Sequence, residues 1–203
     1  MQIDWAQPGD PSAVAERVAR VVARPGGKRI AVPGGATPTA VFAEFAEPEL
    51  DWRGCEVWPT DDRQVPPDHP ASNFGKLRAA LGGSSATLVE LREGKPSPRF
   101  DLVWLGMGAD GHVASLFPRM AAGERVGPCV IATVPEPLPP EAPFARLSLN
   151  LEALTATHAL IVVVTGSGKR GVIEAAIRGE ADDLPIAQLL RAARCPIEIY
   201  WSP

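Results

Sequence analysis

Leu102-Val103-Trp104-Leu105 runs into Gly106-Met107-Gly108-Ala109-Asp110-Gly111-His112, a short apolar segment that stops at a glycine-rich polar turn. Four consecutive apolar residues bounded by turn residues form the pattern of a strand covered on both faces, because a half-exposed strand would alternate polar and apolar positions. The same grammar recurs three times. Arg29-Ile30-Ala31-Val32 ends at Pro33-Gly34-Gly35, Glu56-Val57-Trp58 precedes Asp61-Asp62-Arg63, and Leu160-Ile161-Val162-Val163-Val164 precedes Thr165-Gly166-Ser167-Gly168-Lys169. Helical spacing lies between these segments. Val14, Val18, Val21 and Val22 share one face of a first helix between Pro11 and Ala23, with Ser12 as its expected cap, and a second helical stretch runs from Thr37 to about Glu47. Buried strands alternating with helices predict an α/β fold: a three-layer, mostly parallel, Rossmann-like sheet with helices on both faces.

The 203 residues fit one domain, 1–203, large enough to bury roughly 70% of the surface that its unfolded chain exposes. At 45% hydrophobic and 22% charged residues, neither a disordered chain nor a coiled coil is consistent with the composition. The 19 glycines and 22 prolines imply many sharp turns, and Val134-Pro135-Glu136-Pro137-Leu138-Pro139-Pro140 reads as an extended loop. A net charge of -4 provides no broad basic surface, which argues against nucleic acid or an anionic membrane as the main partner. A small anion held by two or three local cations remains open. Cys55, Cys129 and Cys195 are odd in number, far apart and without C-x-x-C spacing, so reduced thiols in a cytoplasmic protein are expected and metal binding through them is not. The first residues lack the charged-then-apolar pattern of a secretion signal, and the run from Ala159 to Val164 is far too short to span a bilayer. The oligomeric state stays open, a monomer being compatible.

In parallel α/β sheets, ligands bind beyond the carboxyl ends of the strands. Four polar clusters of this chain sit there, and their shared position points to one active site. Gly34-Gly35-Ala36-Thr37-Pro38 can present bare backbone N–H groups at a helix start, where dipole and unpaired donors favour phosphate. Read alone, it is equally a tight turn with Thr37 as cap and Pro38 in the first turn. Thr165-Gly166-Ser167-Gly168-Lys169 adds a second such turn with a lysine inside it, though without the first glycine and the Ser or Thr after the lysine that an ATPase phosphate loop requires. Asp61-Asp62-Arg63 is either a surface charge cluster or a strand-end group in which the carboxylates orient Arg63 as a bidentate phosphate donor.

Gly106-Met107-Gly108-Ala109-Asp110-Gly111 formally matches a dinucleotide fingerprint, but Pro118 follows too soon for the long helix that motif opens. Inside this turn His112 can take a proton from water and return it, given a partner that fixes its tautomer; otherwise it is a capping or merely hydrogen-bonded histidine. His69 and His158 have weaker contexts. With no G-x-S-x-G elbow, a serine esterase is disfavoured, and hydrolysis would use a histidine-activated water.

These motifs, in this order, resemble those of the 6-phosphogluconolactonases, pentose-phosphate-pathway hydrolases within the wider group that includes the glucosamine-6-phosphate deaminases. The resemblance rests on Gly34 to Pro38, on Asp61 to Pro66 with Ser72-Asn73, on Asp101 with Gly106 to Pro118, on Thr165 to Lys169 and, more weakly, on Ala145-Arg146-Leu147-Ser148-Leu149. It spans about Ala31 to Trp201. Where the deaminases continue Gly-His with a segment bearing a catalytic glutamate, this chain has Val113-Ala114-Ser115-Leu116-Phe117-Pro118, the lactonase version. The resemblance implies hydrolysis of 6-phosphoglucono-1,5-lactone by water that His112 activates, with Asp110 as the second catalytic residue. It implies a substrate-binding set of Gly34, Gly35, Ala36, Thr37, Asp61, Arg63, Gly108, Arg146 and Lys169, and neither metal nor cofactor. Pro33 and Ala36 stand where hydroxyl residues are common in the family, Asp62 stands where glutamate is usual, and the chain between Leu81 and Phe100 is short and is expected to lack a helix. A deaminase or isomerase of amino-sugar phosphates and a non-catalytic sugar-phosphate sensor are the competing expectations.

Overall fold

A computed structural model describes residues 2–6, 9–44, 50–120, 127–139 and 142–203. Its strands are β1 (Ile3–Ala6), β2 (Lys28–Val32), β3 (Cys55–Pro59), β4 (Asp61–Arg63), β5 (Thr87–Leu88), β6 (Leu102–Gly106), β7 (Val130–Thr133), β8 (Arg146–Leu149), β9 (Leu160–Thr165) and β10 (Ile197–Ser202). The helices are α1 (Pro11–Val22), α2 (Ala36–Glu44), α3 (Asn73–Leu81), α4 (Leu151–Thr155), α5 (Ser167–Arg178) and α6 (Pro185–Ala192). Seven strands form one sheet in the order β1-β10-β9-β6-β2-β3-β5, each neighbouring pair parallel. This is the parallel α/β architecture that the buried strand runs predict.

Alternation along each strand divides the core between two layers. Leu102, Trp104, Ile161 and Val163 pack with Val14 and Val18 of α1, Val41 of α2 and Leu77 of α3. Val103, Leu105, Leu160 and Val162 pack on the opposite face with Leu154 of α4, Ile173 of α5 and Ile186 and Leu189 of α6. Each such aliphatic side chain, fully buried, contributes about 1.5–3 kcal/mol, and burial on both faces explains why the strands read as unbroken apolar runs. The chain leaves β2 for α2 on one face and β9 for α5 on the other, with β6 between them. Such a divergence opens a crevice above the carboxyl end of the middle strand.

Three features differ from the sequence-based reading or extend it. Helix α1 is capped by Asp10, whose Oδ1 accepts from the Ala13 N–H at 2.9 Å, and not by Ser12. Pro11 is the reason: lacking an N–H, it suits the first helical position and moves the cap one residue earlier. Helix α2 starts at Ala36 and is described to Glu44; the expected continuation to Glu47, and the side chains of Ala36 and Thr37, lie outside the described residues. The cluster Asp61-Asp62-Arg63, expected as a strand-end loop, is itself a strand. It pairs antiparallel with β8, which pairs with β7, in a second sheet of three strands. Between Leu81 and Phe100 only the two-residue β5 forms, and the face left there is filled by buried Leu91 and by the Lys95 ammonium, 4.6 Å from the Trp58 ring centre.

Candidate active site

Beyond β6, the Gly108 N–H donates to the His112 carbonyl at 2.9 Å and the Gly111 N–H to the Gly108 carbonyl at 3.1 Å, closing a tight loop. Gly111 has φ of +80°, a left-handed conformation that favours glycine. Gly108 is needed for a different reason: a Cβ there would collide with Nδ1 and Cε1 of the His112 ring. His112 Nδ1 lies 2.6 Å from Asp110 Oδ1, which also accepts the His112 N–H at 3.2 Å. Burial works to raise the Asp110 pKa, but attraction to His112 and the hydrogen bonds from it hold the carboxyl below its ordinary value. An ionised carboxylate beside Nδ1 accepts a hydrogen bond from the N–H of that nitrogen, which selects the tautomer whose Nε2 lone pair is free. The Phe117 ring, 5.0 Å away centre to centre, packs against the imidazole.

Asp62 and Arg63 follow neither of the two readings open from sequence. Asp62 is buried and serves α3: Oδ1 accepts the Asn73 N–H at 2.6 Å and the Arg63 N–H at 2.7 Å, and Oδ2 accepts the Phe74 N–H at 3.0 Å and the Ser72 hydroxyl at 3.1 Å. Arg63 is aimed not by carboxylates but by the Ala71 carbonyl, 2.7 Å from Nη1, and by Asn73 Oδ1 at 3.2 Å. Asn73 Nδ2 in turn donates to the Asp61 carbonyl at 2.9 Å. The Asn73 carboxamide lies where a side chain on Gly34 would have to be, so glycine at 34 lets α3 reach the cleft. Burial pushes the Asp61 carboxyl above its usual range, with the Ser115 hydroxyl at 2.6 Å and the Arg63 charge working against that rise.

At the end of β9, Gly166 (φ +93°) turns the chain into α5, whose first turn carries Lys169. The Gly166 carbonyl accepts the Trp201 indole N–H at 3.1 Å and its N–H donates to the Ser202 carbonyl at 2.9 Å. Arg170 lies between the rings of Trp5 and Trp201, 5.0 and 4.5 Å from their centres.

These loops enclose a cleft of about 330 Å³, within the range of small-molecule sites. Of the residues expected from sequence, Gly34, Gly35, Asp61, Arg63, Gly108, His112 and Lys169 line it, and Asp110 stands behind His112. Arg146 does not line it. As the cross-strand neighbour of Arg63 it is buried, with Nη2 donating to the Ala142 carbonyl at 3.0 Å and Nε and Nη1 without a partner among the described residues. Burial and the Arg63 charge lower its pKa against the pull of Asp61 and Asp62. Asn73, Trp104, Met107 and Thr165 also line the cleft and were not assigned from sequence. Met107 and Thr165 stand inside the glycine-rich motifs and Asn73 in the Ser72-Asn73 pair that carries the resemblance, so these three had a signal in the sequence. A wider groove beside α3, lined by Pro67, Phe74 and Arg78, holds none of the expected residues.

Residues 11–90 and 83–201 match the model of the family described as glucosamine-6-phosphate isomerases/6-phosphogluconolactonase. The chain belongs to this family. Among similar family members, a 6-phosphogluconolactonase of Rhizobium meliloti (strain 1021) is 33% identical over 226 aligned positions, covering 96% of each chain. A 6-phosphogluconolactonase of Pseudomonas putida is 32% identical, covering 94% of this chain and 86% of its own. The crystal structure of a 6-phosphogluconolactonase from Shewanella baltica OS155 superimposes with a TM-score of 0.79 at 25% identity, over 100% of this chain and 98% of that one. A monomeric glucosamine-6-phosphate deaminase at 13% identity shares the fold, with a TM-score of 0.77.

Proposed function

We propose that the chain hydrolyses 6-phosphoglucono-1,5-lactone to 6-phosphogluconate, the lactonase step in the oxidative branch of the pentose phosphate pathway, with His112 as general base. The single observation that carries this reading is that His112 from the loop after β6, Arg63 from β4 and Lys169 from the first turn of α5 face one cleft of hexose-phosphate size. The names of the family members described above support the same substrate.

In this mechanism Arg63, Lys169 and the Gly34-Gly35 turn hold the 6-phosphate, and Asp61 accepts a hydrogen bond from a sugar hydroxyl. His112 Nε2 takes a proton from water as its oxygen adds to the lactone C1, while Asp110 stabilises the imidazolium that forms. The C1–O bond to the ring oxygen then breaks, the imidazolium returns its proton to that oxygen, and the new carboxylic acid releases a proton to solvent. A lactone is already an activated acyl group, so a positioned water, a base and oxyanion donors suffice without a covalent intermediate. Ala36, Thr37 and Gly108 complete the binding set as backbone, and Arg146 contributes its charge from behind Arg63.

We read residues 1–203 as one domain and place its substrate, a small phosphosugar, in the cytoplasm. Supporting that location, the three described cysteines are free thiols.

The test is lactone loss above the spontaneous rate, with and without the 6-phosphate. His112→Ala is expected to lower kcat about 100-fold or more; equal rates for the two proteins overturn the mechanism. Ammonia release from glucosamine 6-phosphate would mark a deaminase, and saturable binding without turnover would mark a sensor.

A further inference from the structure

Ser115 is 2% exposed, and each of its polar groups is bound by a different strand of the three-stranded sheet. Its hydroxyl donates to Asp61 Oδ2 of β4 at 2.6 Å, its N–H donates to the Ser148 hydroxyl of β8 at 3.1 Å, and its carbonyl accepts from the Thr133 hydroxyl of β7 at 2.9 Å. Ser148 and Thr133 are themselves buried. Ser115 follows Ala114, which lines the cleft with φ of +49°, a left-handed conformation that an L-residue holds only where its surroundings fix it. The turn is closed by the Leu116 N–H on the Val113 carbonyl at 2.9 Å and by the reverse bond at 3.3 Å. Two residues, Val113 and Ala114, separate this anchor from His112, and its hydroxyl ends on the carboxylate that shares the cleft with that histidine.

We propose that Ser115 is a positioning residue for lactone opening, fixing the Asp61 carboxylate and the His112 loop to one another so that the small sheet sets the geometry between the hydroxyl-binding carboxylate and the general base. The inference rests on the lactonase reading. Ser115 does not line the cleft, and its hydrogen bonds go to Asp61, Ser148 and Thr133 and to neither Arg63 nor Lys169 among the described residues, so it acts on turnover rather than on phosphate capture. A merely structural serine would affect folding alone and would not be coupled to Asp61.

Ser115→Ala removes only the hydroxyl and keeps the backbone bonds to Ser148 and Thr133. The expected result is a kcat for the phosphorylated lactone lowered roughly 10- to 100-fold, with KM within about twofold of wild type. In an Asp61→Asn background the same substitution should have no further effect, because the two groups act as a unit. The acid limb of kcat should also move to higher pH. Loss of a hydrogen bond that favours the Asp61 carboxylate lets it protonate earlier, while Arg63 and Asp62 on β4, Arg146 on β8 and Lys76 on α3 remain in place. Should Ser115→Ala not fold, Ser115→Cys, with a weaker donor of similar size, is expected to give the same pattern to a smaller degree. Unchanged kcat in the folded variant, or an equal loss in the Asp61→Asn background, overturns the proposal while leaving the lactonase reading intact. Wild-type protein that does not accelerate lactone loss removes both.

Discussion

Gly108 carries no side chain, and the His112 ring occupies the space that one would need. The cleft shows this economy repeatedly, and Gly34 yields its space to Asn73, which aims Arg63. The two cations face the same cleft as His112 but lie outside its hydrogen bonds. Arg63→Ala and Lys169→Ala are therefore expected to raise KM by about 1.5–3 kcal/mol each with little change in kcat, an effect that should vanish when the unphosphorylated lactone is the substrate. Steady-state kinetics on both lactones checks this. Asp61 has the opposite relation to stability from the usual carboxylate. Its folded pKa is raised by burial, so its ionised form costs stability above that pKa, and the cost disappears as pH falls below the unfolded value. Asp61→Asn should accordingly lose activity yet melt higher than wild type at pH 7, with the gap closing near pH 4; thermal melts at the two pH values decide it.

The parallel strands were legible because burial on both faces leaves an unbroken apolar run, and Leu102–Leu105 and Leu160–Val164 needed nothing further. The small antiparallel sheet was not legible. Its strands hold three or four residues, and Asp61-Asp62-Arg63 is wholly polar, so neither length nor period could separate it from a loop. Part of its function was legible all the same: the resemblance singled out Asp61, Arg63 and Arg146 from this sheet, and the first two line the cleft, whereas Thr133 and Ser148, which hold Ser115 behind Asp61, were not singled out. At α3, Ser72-Asn73 stood out in the sequence only as part of the resemblance, and both the cap and its reinforcement come from the structure. Ser72 accepts the Gly75 N–H at 2.9 Å, while Asp62, eleven residues before Asn73, takes the first two N–H groups of the helix. Ser72→Ala is expected to cost about 1 kcal/mol in denaturant unfolding, and a modest rise in KM should accompany it because Asn73 in that first turn holds Arg63.

Across the whole molecule, convergence was the part of the site that sequence could state only as a hope. Motifs nearly 140 residues apart, from Gly34 to Lys169, meet because β2, β6 and β9 are neighbours in one sheet and their helices diverge to opposite faces. The net charge of -4 concealed a local reversal, since Arg63 and Lys169 share the cleft and Arg146 lies behind it. Trp201, nearly at the end of the chain, closes this arrangement on the Lys169 side: its indole N–H holds the Gly166 carbonyl, and the Arg170 guanidinium stacks on its ring. An indole so tied, with a cation over its face, is a built-in fluorophore beside the turn that brings Lys169 to the cleft. Tryptophan emission, to which Trp104 in the cleft also contributes, is expected to change when an inert sugar phosphate binds, an optical reading of occupancy that needs no turnover.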